Sequence, residues 1–295
     1  MAELQRRRLG RTEMRPRALG LGCAFFGASY HTDREAIEGV RRAVELGIDF
    51  LDTSPHYGES ERRVGLALEG GYRNGVYLQT KTGTHPTRRG DYTAAATRWS
   101  VENSMKLLKT TYLDSVLIHD PRDIEDALAP GQALDELLGM KEERVIGHVG
   151  LGVRSHAFHR RAIETGQIEI VLTYLDYTLL DQSVARTTLP LARQHDVGII
   201  LASILAMGKL TGREPLGDPR AHAMWQWCHE WGVDIKHLAV QFCLAATIDG
   251  IVMPGPGTVE HVEEMYAAAT KEVAPEVWRA FRKEFGVGAD PGGGV

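Results

Sequence analysis

Eight short stretches of the chain are almost continuously apolar, and an amphipathic stretch follows each of them. The apolar runs cover 18–23, 48–52, 76–81, 114–119, 145–152, 168–174, 197–203 and 250–254. They lack the strict alternation of a strand with one wet face. Near-continuous apolar runs are the pattern of strands buried on both faces, as in a parallel sheet covered by helices. The segments 33–46, 59–69, 91–109, 124–143, 155–165, 183–195, 235–247 and 258–269 read as helices. Eight strand–helix pairs predict an α/β fold, a single (β/α)8 TIM barrel over 1–295, and this length is ordinary for one. An open, doubly wound sheet is the competing arrangement. Ahead of the first pair, LQRRRLGRTEMRPRALG predicts an N-terminal β-hairpin across the barrel floor. Behind the last, PEVWRAFRKEFG predicts an extra C-terminal helix. The stretch 206–232 reads as one long connection, and long connections on the catalytic face of a barrel tend to be functional.

Three of the apolar runs end on an ionisable residue: IDFLD on Asp52, VYLQTK on Lys81 and DSVLIH on His119. Tyr57 follows the first of these in the loop SPHYGES. If the runs are parallel neighbours, their C-terminal ends gather Asp52, Lys81 and His119 around one point, with Tyr57 above it. A buried ammonium needs a counter-charge, and Asp52 is available to Lys81. A free tyrosine titrates near ~10, too high for easy proton exchange at neutral pH, and a cation within reach favours its phenolate. Lys81 can supply that cation to Tyr57, and His119 can polarise a substrate oxygen from the other side. Each residue also has a plainer reading: a structural Asp–Lys pair, a loop tyrosine, a satisfied core histidine. The four together argue for a proton-transfer site.

Composition narrows the function classes. The net charge of −5 gives no electrostatic case for nucleic acid or anionic membrane. No run reaches 18 apolar residues, the N-terminus lacks a secretory signal, and three scattered cysteines form neither a disulfide framework nor a metal pattern. A reducing cytoplasm is the expected location. No HExxH or Cys–His spacing predicts a metal, no GxSxG a serine hydrolase, and no GxGxxG a Rossmann unit. A Schiff-base lysine in a barrel is a competitor for Lys81, but it leaves Tyr57 and Asp52 unexplained. Glycines in GLGC, around Gly22, and in GPG, Gly255 to Gly257, sit at strand ends. In MPGPGTVEHVEE they precede a helix N-terminus, where amide dipoles favour an anion, and the loops after strands seven and eight of a barrel often bind phosphate. Phe25, Phe26, His85 and Asp120 lie in loops on the same face and are candidates for the substrate pocket.

GIDFLDTSPHYGESERRVGLAL, the QTKTG strand end and the LIHD strand end together resemble the aldo-keto reductases, in order, up to about residue 270. The resemblance implies the same barrel and a nicotinamide dinucleotide lying across its top. It implies Tyr57 as general acid/base, Lys81 and Asp52 as the groups that tune it, and His119 as the group that orients the substrate oxygen. LIHDP, TYLDYTLLDQ and ILASILAMGKLTG are most similar to the aldose 1-dehydrogenase group, with L-galactose, L-fucose and D-threo-aldose dehydrogenase-like members. The implied reaction is oxidation of an aldose at C1 to the lactone. The alternatives are an NADPH-dependent aldehyde or ketone reductase, including pyridoxal-type substrates, and a non-catalytic nucleotide-sensing barrel. The expected partner is a small sugar or carbonyl compound, and the expected assembly a monomer or small homo-oligomer.

The chain departs from the family where the cofactor would lie. Gly152 and Val153 stand where many members have Ser-Asn, and Tyr174 stands for a glutamine. Ser203 replaces an aromatic residue, Gly255 and Pro256 replace Lys and Ser, His261 replaces Arg, and Met265 replaces the Asn beside Glu264. Cofactor contacts are therefore expected at Gly22, Asp52, Tyr174, Ser203, Leu205, Gly208, Gly255, Thr258 and Glu264. A 2′-phosphate needs cations placed to meet it. IVMPGPGTVEHVEEMY holds neither Lys nor Arg in 16 residues, so NAD is the expected cofactor, with NADP possible.

Overall fold

The computed structural model describes residues 3–289. Eight parallel strands form one sheet in the order of the chain: β1 (Leu21–Gly22), β2 (Phe50–Asp52), β3 (Tyr77–Thr82), β4 (Leu113–His119), β5 (Ile146–Gly152), β6 (Ile170–Tyr174), β7 (Gly198–Ala202) and β8 (Gly250–Met253). The two ends of the sheet meet. Gly20 N–H donates to the Val252 carbonyl at 2.9 Å, Val252 N–H to that of Ala18 at 2.9 Å, and Leu19 bridges Val252 in parallel. The helices are α1 (Asp33–Glu45), α2 (Ser60–Ala67), α3 (Ala94–Leu107), α4 (Glu125–Leu128), α5 (Ala133–Glu142), α6 (His156–Ile163), α7 (Thr188–Gln194), α8 (Pro219–Glu230), α9 (Ile235–Leu244), α10 (Val259–Thr270) and α11 (Pro275–Phe285). This is the predicted (β/α)8 barrel, and α11 is the predicted C-terminal helix.

Side-chain parity divides the apolar residues into two cores. Phe50, Leu117, Ile170, Leu172, Ile200, Ile251 and Met253 come from strands all round the sheet yet pack on one another, so they fill the barrel interior. The alternate residues, such as Leu51, Val116, Ile118, Val171 and Val252, join the helix layer outside. The predicted hairpin exists: Arg6 and Arg17 bridge in antiparallel fashion, and Leu9 and Met14 at its tip plug the interior core from below. Gly10 is needed there, with φ 53° and an ideal Cβ position 2.0 Å from the Gly198 nitrogen.

Three predicted boundaries change. The helix expected over 124–143 is two, α4 and α5, because Pro130 forces Ala129 into extended backbone and Gly131 follows with φ 78°. The helix expected over 183–195 begins as a 3-10 turn, Ser183–Arg186, before α7. The connection 206–232 contains α8, started by Pro219 at its first position and capped by Asp218, which accepts from Ala221 N–H. The Asp-Pro pair at 218–219 was the available signal.

Candidate active site

Parity places Asp52, Lys81 and His119 on the interior side of β2, β3 and β4, two residues above Phe50, Gln79 and Leu117. Their strands are hydrogen-bonded neighbours, so the three side chains converge at the C-terminal mouth. Lys81 is fully buried, with Nζ 2.6 Å from both Asp52 oxygens and 2.7 Å from the Thr53 carbonyl. Those acceptors, together with the Tyr57 hydroxyl, surround the ammonium. Gln79 adds a second hold: its Nε2 donates to Asp52 Oδ1 at 2.8 Å, and Ser115 Oγ donates to its Oε1 at 2.8 Å. The serine hydroxyl thereby turns the amide so that N–H, not C=O, faces the carboxylate.

Tyr57 stands in the turn after β2, with its N–H on the Ser54 carbonyl at 3.0 Å. Its ring centroid is 4.8 Å from Lys81 Nζ. The His119 ring meets it edge-on, with centroids 6.0 Å apart. The loop after β1 braces this turn closely. An ideal Cβ on Gly27 would lie 1.6 Å from the Tyr57 carbonyl oxygen and 2.8 Å from the Ser60 nitrogen. Both are backbone atoms, so the tyrosine turn itself would have to move. Gly27→Ala is therefore expected to lose at least about 1–3 kcal/mol of stability by overpacking and to lower turnover; thermal unfolding beside kinetics checks both.

Electrostatics follow from burial and from the buried Lys81 cation. Burial pulls the Lys81 ammonium down, but the charges of Asp52 and Tyr57, with their hydrogen bonds, outweigh it and the net direction is up. Lys81 is a fixed positive charge. Burial pushes the Tyr57 phenol up, and Lys81 opposes that without reversing it. The sequence-based expectation of a net downward shift is corrected here: desolvation is the larger effect. Burial, then the Lys81 charge, holds His119 well below the ordinary histidine range, so its imidazole is neutral.

His119 is held on its Nδ1 side by Thr84 Oγ1 at 2.8 Å and Ser54 Oγ at 3.3 Å. Its carbonyl accepts from the Tyr92 hydroxyl at 2.6 Å. Asp120 follows with φ 43°, a left-handed turn that ends β4. One Asp120 oxygen lies 3.5 Å from His119 Nε2, and the other accepts from the Tyr174 hydroxyl at 3.1 Å. Burial, and next the charge of Asp120, push the Tyr174 phenol up to about 12. The mouth thus carries a carboxylate and a neutral phenol beside the imidazole. Gln79, Ser115, Thr84 and Ser54 were not among the sequence candidates, although Gln79 and Ser115 share parity with Lys81 and His119.

A model of the aldo/keto reductase family matches residues 18–283. The chain belongs to the aldo/keto reductase family. It is 30% identical over 292 residues to L-galactose dehydrogenase of Arabidopsis thaliana, covering 92% of this chain and 90% of that one. It is 27% identical over 301 residues to D-threo-aldose 1-dehydrogenase of a Pseudomonas species, covering 88% and 92%. Among solved structures, the holo form of an aldo-keto reductase from Bacillus halodurans superposes with a TM-score of 0.81 at 23% identity, covering 98% of each chain. This aldo/keto reductase is thus a nicotinamide-dependent oxidoreductase on a barrel shared with that neighbour.

The remaining candidates of the reductase lie mostly on one side of the mouth. Gly22, Asp52, Tyr174, Ser203 and Gly255 sit at or just beyond the ends of β1, β2, β6, β7 and β8, which are consecutive round the barrel. Beyond β7 the backbone is left-handed at Ser203 (φ 53°), Ala206 (49°), Met207 (54°) and Gly208 (95°), with Leu205 between them. Left-handed backbone at non-glycine residues costs about 1–3 kcal/mol each, and such turns make N–H concavities that bind anions. Thr258 caps α10 by accepting from His261 N–H at 3.2 Å. Glu264 accepts from Lys236 at 2.6 Å. A dinucleotide with a pyrophosphate fits this arc of bare glycine, strained turn and helix N-terminus. Phe25 is 45% exposed and packs beside Gly255 and Gly257. Phe26 does not join it: its ring is fully buried against Gly39 of α1, in the core rather than the pocket. His85 stacks edge-on against Trp99 and binds Thr87 Oγ1 at 2.9 Å.

Among the described residues, no group of three or more His, Cys, Asp and Glu side chains is placed to hold a metal, and no helix is long and apolar enough to cross a membrane.

Proposed function

We propose that this enzyme oxidises a free aldose at C1 to the lactone, with NAD⁺ as acceptor and Tyr57 as proton acceptor. The observation that carries the reading is a phenol poised over a fixed ammonium, edge-on to a neutral imidazole. A sugar C1 hydroxyl lying between Tyr57 and His119 would give its proton to the Tyr57 phenolate, which Lys81 stabilises beforehand, leaving Tyr57 as the phenol. His119, being neutral, can donate to the sugar oxygen without adding charge. Asp120 and Tyr174 offer an acceptor and a polar edge to further hydroxyls, which an aliphatic alcohol would leave unpaired. Gly22, Asp52, Tyr174, Ser203, Leu205, Gly208, Gly255, Thr258 and Glu264 are proposed to hold the dinucleotide. When bound, its nicotinamide supplies the redox chemistry by accepting the hydride.

The NAD preference rests on where the cations are. Among the described residues, two form ion pairs with α10: Lys236 with Glu264 at 2.6 Å and Arg42 with Glu263 at 2.7 Å. Of the two arginines of the β7 loop that could fold over to meet a 2′-phosphate, Arg220 donates to the Phe285 carbonyl at 3.0 Å, and Arg213 is exposed and is the cation that could rescue NADP⁺. Losing one charge-assisted contact costs about 1.5–3 kcal/mol, on the order of tenfold to a hundredfold in affinity. NAD⁺ is therefore expected to be favoured over NADP⁺ by at least roughly tenfold in kcat/KM. One panel of sugars and aldehydes, run with both cofactors, tests substrate and cofactor together. A galacto- or fuco-configured aldose should exceed short alcohols. Faster turnover of aldehydes with NADPH would replace this reading with a reductase, and tighter binding of NADP⁺ would remove the cofactor preference.

A further inference from the structure

We propose that Thr84 is a positioning residue that fixes His119 in the tautomer carrying its proton on Nε2, the nitrogen facing the mouth. The proposal deepens the functional reading above, since it rests on His119 meeting the reacting oxygen.

The argument is a count of donors and acceptors in a closed space. Thr84 is 4% exposed and His119 5%, so water is a poor substitute for either partner. Among the described residues, the Thr84 hydroxyl has one hydrogen-bond partner, His119 Nδ1 at 2.8 Å. The Ser54 hydroxyl already accepts from His56 N–H at 3.1 Å, and its other contact is the same Nδ1 at 3.3 Å. If Nδ1 carried the proton, it could serve one hydroxyl as a donor. Both hydroxyl protons would then be left without an acceptor, at a cost of about 1–3 kcal/mol for each buried orphan. If Nδ1 is bare, Thr84 donates to it along the shorter contact and the imidazole proton sits on Nε2. The other side of the ring agrees. An Asp120 oxygen lies 3.5 Å from Nε2, and a bare Nε2 would set lone pair against carboxylate.

The fold holds Thr84 at this point by two further devices. Gly83 has φ 89°, and an ideal Cβ there would lie 2.0 Å from the Tyr92 ring. The chain therefore turns tightly beneath Tyr92, directly after β3. The Tyr92 hydroxyl in turn donates to the His119 carbonyl at 2.6 Å. The loop thus fixes the histidine through both its ring and its backbone. The consequence for chemistry is directional: the proton on Nε2 is available to a substrate oxygen, whereas the other tautomer would present a lone pair to it.

The test is the tautomer itself, read by nitrogen NMR on protein labelled with ¹⁵N-histidine, with His119→Asn to identify the signal. Wild-type His119 should be protonated on Nε2 alone. Thr84→Val keeps the volume and removes the hydroxyl, and should move the tautomer ratio toward Nδ1–H by about tenfold, the worth of roughly one hydrogen bond. Its kcat should fall in proportion to the fraction of His119 that loses the proton on Nε2, with dinucleotide binding unchanged. Thr84→Ser should restore both, and Ser54→Ala should leave both within about twofold, since its contact is longer and shared. A wild-type spectrum with the proton on Nδ1 overturns the proposal without any variant. So does Thr84→Val protein that keeps the wild-type tautomer, or a shift seen with Ser54→Ala in its place. Absence of nicotinamide-linked turnover with every substrate would instead refute the functional reading and leave the tautomer result standing.

Discussion

Tyr57→Phe is expected to lower kcat by about 10²–10⁴-fold, the range contributed by a positioned general acid or base. The substitution removes one oxygen and keeps the ring that packs over Lys81 Nζ and against the edge of His119. Folding and dinucleotide affinity should therefore be close to wild type. Stopped-flow turnover, beside a titration of the dinucleotide by tryptophan fluorescence, separates the two quantities. A variant that binds the dinucleotide normally and turns over at near wild-type speed would remove Tyr57 from the chemistry.

Lys81→Met should have two effects of different origin. It leaves the Asp52 carboxylate, buried at 2% exposure, with Gln79 as its remaining side-chain donor. Breaking a buried pair from one side costs about 3–5 kcal/mol, so the urea midpoint should fall well below that of wild type. The second effect is on pH. Burial already pushes the Tyr57 phenol up, and Lys81 is the group that opposes it. Without the cation the phenolate forms at still higher pH. The rise of kcat with pH in the oxidation direction should move upward accordingly. If the midpoint falls while the profile stays where it was, Lys81 is a structural partner of Asp52 and nothing more. Thr84→Val offers a useful contrast, because it should leave the pH profile of Tyr57 in place while changing the histidine tautomer.

The barrel and the four-residue centre were legible in the chain because both depend on local pattern. A strand buried on both faces is apolar over most of its length, so IDFLD, VYLQTK and DSVLIH announce themselves, and the ionisable residue that ends each of them stands out. Eight such runs separated by helices leave few topologies, and parallel neighbours bring their C-terminal ends together whatever their separation in sequence. Parity would have carried the reading further. Gln79 and Ser115 sit two and four residues before Lys81 and His119, on the same face.

Tertiary structure decided everything that depends on which groups meet across the barrel and how much water reaches them. The Asp52–Lys81 contact and the Thr84–His119 contact join residues 29 and 35 apart in sequence. No local pattern specifies such distances; the strand register does. The direction of the Tyr57 shift could not be read from composition either, because it is a contest between desolvation and the Lys81 charge, settled by the depth of the ring. Phe25 and Phe26 are adjacent and chemically identical, yet one lies over the mouth beside Gly255 and the other against Gly39 in the core. The turn decided that. Sequence determined the strands, their order and the ionisable groups they end on, because burial on two faces constrains every residue of a run. Structure determined the partners, the protonation and the side of the turn each ring occupies, because those depend on contacts between segments that the chain brings together only when the barrel closes.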